Sequence, residues 1–88
     1  MNHTTKRKLL RRLKIIEGQV RGIQQMLERD KYCIDVITQT SAVKRALSGI
    51  EDAVLENHLD SCAIEQIKKG QTAKAKQEIL KVYRLKRK

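Results

Sequence analysis

The chain has no proline, no phenylalanine and no tryptophan, and only 2% of its 88 residues are aromatic. Ala, Leu, Ile, Lys, Glu and Gln dominate instead, which is the composition of helices. There is no run of 18 apolar residues, which excludes a membrane-spanning helix, and the N-terminus carries charge but not the apolar core of a signal peptide. A cytosolic protein is therefore expected. Cysteine is scarce, with two in all. In a reducing compartment a pair of thiols serves more readily as metal ligands or redox sensors than as a structural disulfide, the plain alternative being small buried side chains.

Other absences narrow the function. No serine stands at usable spacing from a histidine and an acid, no glycine-rich phosphate loop is present, and no carboxylate pair marks a cleft. A cysteine nucleophile paired with His58 has no visible oxyanion pocket in a bare helical bundle. The chain reads as a non-enzyme. It also lacks zinc-finger spacing, the short-helix signature of a helix-turn-helix, internal repeats and low-complexity stretches.

Positive charge is plentiful: 20 Lys and Arg against 10 Asp and Glu give a net charge of +10. A field of that size makes nucleic acid the natural partner, with a merely solvated basic surface as the alternative. Residues 1–88 are long enough for one domain but bury only a modest core alone, so association of chains is expected.

Residues 1–5 read as a short polar tail in which Thr4 or Thr5 caps the following helix. Leu9, Leu13, Ile16, Val20, Ile23 and Leu27 then repeat at 4, 3, 4, 3 and 4 residues, predicting an amphipathic helix over about 5–28. Lys6, Arg7, Lys8, Arg11, Arg12, Lys14 and Arg21 cluster on or near its polar side. Gly18 and Gly22 lie inside it at about 1 kcal/mol each relative to alanine, which makes sense where another backbone approaches closely. Residues 28–31 read as a turn with Asp30 a candidate cap, and a second helix is predicted over about 31–63, with Lys44 and Arg45 in its middle. Gly70 marks its end. Thr72 is placed to cap a third helix over about 72–85 with Ala75, Ile79, Val82 and Tyr83 as its apolar side, before a basic tail of Arg84, Lys86, Arg87 and Lys88. The fold class is all-α, with three helices per protomer. The candidate phosphate contacts are Arg11, Arg12, Arg21, Lys44 and Arg45, with sequence read mainly through DNA shape.

The second helix carries the chemistry. Cys33, Val36, Thr40, Val43, Leu47, Ile50, Val54, His58 and Cys62 follow one another at 3, 4, 3, 4, 3, 4, 4 and 4 residues, so the soft ligands share the apolar seam that a partner helix should cover. Cys33 and His58 are 25 positions apart, roughly 37 Å in an unbroken helix, which no single ion bridges. Gly49 offers the one point of bending. His58 and Cys62, four apart, can bind one ion together. If Cys33 joins them it comes from another copy, and antiparallel pairing makes two equivalent sites. Two thiolates and an imidazole favour Cu(I), whereas Zn(II) needs a fourth donor and Ni(II) a planar or octahedral set. His3 is available as a fourth donor if the tail folds back, and is otherwise a solvated tail residue.

Arg12 to Ile23 (RLKIIEGQVRGI), Tyr32 to Val43 (YCIDVITQTSAV) and the His58-Leu-Asp-Ser-Cys62 run together resemble the copper-sensing operon repressor family (CsoR) over nearly the whole chain. The resemblance implies an antiparallel dimeric four-helix bundle that pairs as a dimer of dimers, a homotetramer that binds operator DNA when metal-free and releases it on binding Cu(I). It implies Cys33 of one protomer with His58 and Cys62 of the other as ligands, supported by Tyr32 and Glu78. Nickel and cobalt sensors of the same superfamily also resemble the chain but use an N-terminal histidine, for which His3 is available, and usually a histidine where Cys62 stands. The formaldehyde sensors have a proline where this chain has Asn2. The persulfide sensors lack a histidine between their cysteines, so His58 sets the chain apart from them, and a thiol or persulfide switch is the second reading. Copper buffering, with the basic charge incidental, is a third.

Overall fold

The computed structural model describes residues 1–87. In chain order it comprises helix α1 (His3–Glu28), helix α2 (Cys33–His58), a π-helical segment (Leu59–Ala63), helix α3 (Ile64–Lys68) and helix α4 (Thr72–Arg87). The fold is all-α, and no strand occurs among the described residues. The chain divides into two compact units, the first Met1–Val54 and the second from Leu55 onward.

In the first unit, α1 begins earlier than the predicted residue 5. The Asn2 side-chain oxygen accepts from Thr5 N–H at 2.8 Å, so Asn2, not Thr4 or Thr5, is the N-cap, and His3 lies in the first helical turn instead of a tail. The other end closes in a Schellman arrangement: Lys31 N–H donates to Met26 O at 2.9 Å and Asp30 N–H to Leu27 O at 3.2 Å. Asp30, expected to cap the second helix, instead takes the left-handed position with φ 51° and terminates the first. With Lys31 tied back to α1, α2 starts at Cys33 and not at 31. The Tyr32 carbonyl receives its first amides, from Asp35 at 3.0 Å and Val36 at 3.3 Å.

Helices α1 and α2 lie antiparallel within this unit, as the short turn requires: Ile16 and Gln19 share a shallow groove with Ala46, and the Arg12 guanidinium reaches over Gly49. A Cβ on Gly49 would stand 2.9 Å from that guanidinium, so the glycine makes room for Arg12, and α2 passes through it unbroken. Gly18 and Gly22 meet no backbone within the chain. Thr38 and Thr40 donate their hydroxyls to the Ile34 and Val36 carbonyls at 2.8 Å, which is how a threonine can stand in an apolar seam. Leu9, Ile16 and Val43 are buried, whereas Leu13, Val20 and Leu27 of α1 and Ile37, Leu47 and Val54 of α2 stay exposed.

In the second unit the helical run that began at Cys33 passes through the π-helical segment into α3 instead of ending near 63. Gly70, at φ 78°, ends it as predicted: Gln71 N–H donates to Gln66 O at 2.7 Å and Gly70 N–H to Ile67 O at 3.0 Å. Thr72 is the first residue inside α4 and not its cap, because the Gln71 carbonyl already receives Ala75 N–H at 3.1 Å. The buried side of α4 is Ala75, Glu78 and Val82, while Ile79 and Tyr83, predicted to be apolar contacts, are exposed. Arg84, Lys86 and Arg87 belong to the last turn of α4 and not to a tail, with Arg87 5.6 Å from the Tyr83 ring centroid, while Lys88 lies outside the described residues.

A non-glycine residue in the left-handed region costs free energy that glycine avoids, partly offset by the freedom glycine gains on unfolding. Asp30→Gly is expected to stabilise the protein by about 0.5 kcal/mol, and Asp30→Val to destabilise it by more than that, read from urea midpoints. A lower midpoint for Asp30→Gly would show that Asp30 contributes more than its backbone.

Candidate metal centre

His58 is the last residue of α2 and Cys62 lies in the π-helical segment that follows, so the pair does not sit on the plain α-helix expected. A π turn closes a wider ring than the ~3.6-residue α turn, and residues four apart still lie within about one turn, on one side. Cys62 is exposed. The Ser61 hydroxyl stands 3.8 Å from Cys62 Sγ and 2.7 Å from the Asn57 carbonyl, and its single hydrogen goes to the nearer acceptor, leaving the sulfur unencumbered.

The imidazole is oriented from behind. His58 Nε2 lies 3.2 Å from Glu78 Oε2, across from α4. That nitrogen is buried and the contact is not aligned as a hydrogen bond, so it is a close approach awaiting a donor proton in the right place. The side chains are 28% and 37% exposed, and since Nε2 is covered the exposure of His58 is on the rest of the ring. Nδ1 is therefore the nitrogen left for a metal, and Nε2 the one left to donate to the carboxylate. Glu78 is not a freely solvated acid among Lys74, Lys76 and Lys81: Gln66 of α3 donates its side-chain amide to both carboxylate oxygens, at 3.3 Å and 3.2 Å.

Sequence reasoning did not single out Gln66. The signal was nevertheless there, since it follows Cys62 by four residues as Cys62 follows His58.

Cys33 belongs to the first unit, as the first residue of α2, and is exposed beside Tyr32, itself 68% exposed. His3 is in the same unit, exposed in the first turn of α1. Among the described residues no three His, Cys, Asp or Glu side chains of one chain gather closely enough to hold an ion. The soft donors His58 and Cys62 fit a thiophilic cation, with the buried Nε2 opposite a carboxylate as the support a ligating imidazole needs. Of the candidate DNA contacts, Arg11, Arg12, Arg21, Lys44 and Arg45 are all exposed, and Arg21 pairs with Glu17 at 3.4 Å in a solvated ion pair of little energetic weight.

Residues 5–85 match the family model described as metal-sensitive transcriptional repressor. The chain belongs to that family. The repressor is 42% identical over 87 residues to the copper-sensing transcriptional repressor CsoR of Bacillus subtilis (strain 168), covering 96% of this chain and 86% of that protein. It is 50% identical over 60 residues to the copper-sensing transcriptional repressor RicR of Mycobacterium tuberculosis (strain ATCC 25618 / H37Rv), over 68% of this chain and 62% of that one. Among solved structures it resembles the copper-sensing repressor CsoR with Cu(I) from Geobacillus thermodenitrificans NG80-2, with a TM-score of 0.90 and 35% identity, across 100% of this chain and 92% of that chain. Among the described residues of the repressor no helix is long and apolar enough to cross a membrane.

Ala75 is 2% exposed on α4, one turn before Glu78. Ala75→Leu is expected to overpack the second unit at a cost of about 1–3 kcal/mol and to lift Glu78 away from His58. Urea unfolding measures the first effect and the ring ¹⁵N shifts of His58 the second. An unchanged midpoint would mean that α4 is not held by this contact.

Proposed function

We propose that the protein is a Cu(I)-responsive transcriptional repressor, cytoplasmic and without catalytic activity, whose metal-free form binds operator DNA and whose copper-bound form releases it. The observation that carries this reading is the His58–Cys62 pair with its ring nitrogen backed by Glu78, in a chain that matches a Cu(I)-bound CsoR end to end. Cys33 from one protomer joins His58 and Cys62 from another. Helix α2 has Cys33 as its first residue and His58 as its last, and no third ligand of the same chain approaches. When bound, Cu(I) supplies a soft cation satisfied by two thiolates and one imidazole.

The assembly is an antiparallel dimeric bundle paired as a dimer of dimers, consistent with the apolar side chains that one chain leaves exposed. His58 ligated through Nδ1 keeps its proton on Nε2, as a fixed donor to Glu78 Oε2, and draws α4 toward the end of α2. Tyr32, beside Cys33, adds its hydroxyl to the network. Allosteric coupling of about 1–3 kcal/mol is within reach of one charge-assisted hydrogen bond with such support.

Anaerobic titration with Cu(I), Ni(II) and Zn(II), each followed by operator binding, tests the reading. Release by Cu(I) alone supports it. Release by Ni(II) would favour a sensor using His3, and release by persulfide in a His58→Ala variant would favour a thiol switch.

Mixing Cys33→Ala protomers with His58→Ala/Cys62→Ala protomers is expected to regenerate one intact site per mixed dimer, measured as recovered Cu(I) binding. No recovery in any mixture would refute ligands shared between chains. For DNA, Arg12→Ala, Arg21→Ala and Arg45→Ala are each expected to weaken binding of the metal-free protein and to lower the log–log salt slope by about 0.9. Wild-type affinity in all three would place the DNA face elsewhere, such as the Thr4, Arg7, Lys8 and Arg11 cleft.

A further inference from the structure

We infer that Gln66 is the positioning residue of this sensor: it holds the Glu78 carboxylate against His58 before any metal arrives, and thereby sets how strongly metal binding is coupled to DNA release. The inference rests on the copper-sensing reading for its consequence but not for its geometry. Glu78 is 37% exposed on a helix that also carries Lys74, Lys76 and Lys81. A glutamate so placed ordinarily samples several rotamers, and fixing it on demand costs conformational entropy. Here the fixing is done in advance. Gln66 Nε2 donates to both carboxylate oxygens, at 3.3 Å and 3.2 Å, and Oε2 at the same time faces His58 Nε2 at 3.2 Å. A carboxylate oxygen has two lone pairs, so Oε2 can accept from both.

The amide itself is held in one orientation. Gln66 Oε1 is buried and accepts no hydrogen bond, so the side chain is inserted and not solvated. Reversing it would set Oε1 against a carboxylate oxygen, so the carboxylate dictates which end of the amide it meets. Because His58, Cys62 and Gln66 follow at four-residue spacing, the residue that fixes Glu78 moves with the same helical run that carries two of the proposed ligands. Gln66 touches none of the proposed ligands directly, and its effect passes wholly through Glu78.

The test uses the full-length protein. Gln66→Met keeps the side-chain length and removes the donor. A second variant, Gln66→Glu with Glu78→Gln, restores an amide–carboxylate pair with the groups exchanged, so packing is kept while the carboxylate no longer faces His58. Three quantities are read: the tautomer of the neutral His58 ring in the metal-free protein by ¹⁵N NMR at about pH 8, the Cu(I) affinity, and the ratio of DNA affinities without and with Cu(I). Both variants are expected to lose the Nε2–H preference of wild type and to show a DNA-affinity ratio about five- to ten-fold smaller, with Cu(I) affinity altered much less. A purely structural role for Gln66 predicts that the exchanged pair recovers wild-type values, and that recovery would overturn the inference. So would wild-type tautomer and coupling in Gln66→Met. If wild-type protein is not released from DNA by Cu(I), the proposed function fails on its own, and the metal-free tautomer comparison still decides whether Gln66 positions Glu78.

Discussion

Two helices of 26 residues joined by a short turn can cover each other on one side only, and this limit on burial governs the protein. The described chain buries just Leu9, Ile16, Val43, Ala63 and Ala75, while large apolar side chains along both long helices face outward. Burial of apolar area is the main source of folding free energy, and a small helical chain has too little of it alone. The exposed seams and the exposed cysteines thus follow from one cause. A ligand set divided between chains makes the metal a report on assembly as well as on copper, since the site exists only where two copies meet.

The helices themselves were legible because their apolar spacing is regular, and the all-α class followed directly. What was not legible lay at their ends. Asn2 outcompeted Thr4 and Thr5 as a cap because its side-chain oxygen reaches Thr5 N–H, and nothing in the apolar pattern extends that far. Asp30 looked like a cap because aspartate usually serves as one, yet the Schellman closure required a left-handed residue at that point. On α4 the choice of face went partly astray: Ile79 and Tyr83 are apolar by type, but Ala75, Glu78 and Val82 are the residues turned inward, and a glutamate in that set is invisible to a hydrophobicity count.

The centre was legible to a similar depth. The seam places Cys33, His58 and Cys62 on one line, and helix length alone separates Cys33 from the other two. The carboxylate behind His58 came from family resemblance and not from spacing, because the contact joins residues 20 positions apart in sequence (78 − 58). Gln66 went unseen for a related reason, as its amide acts on another side chain and carries no charge. The spacing did hold one unread hint. From Ile50 the seam advances by 4, 4 and 4, slower than an α-helix turns, and this drift is what a wider π turn accommodates.

That π turn also makes chain length a constraint in its own right. It holds one residue more than an α-helical turn would need, an insertion absorbed locally without breaking the run. Deleting any one residue of Leu59–Ala63 would let the segment relax to an ordinary helix and turn everything after it by about 100° relative to His58. Gln66 and the helix bearing Glu78 would swing off the imidazole although every proposed ligand outside the deletion was retained. Along this stretch the number of residues is therefore as much a part of the sensor as their identity, and a sequence one residue shorter would keep the motif while losing the device.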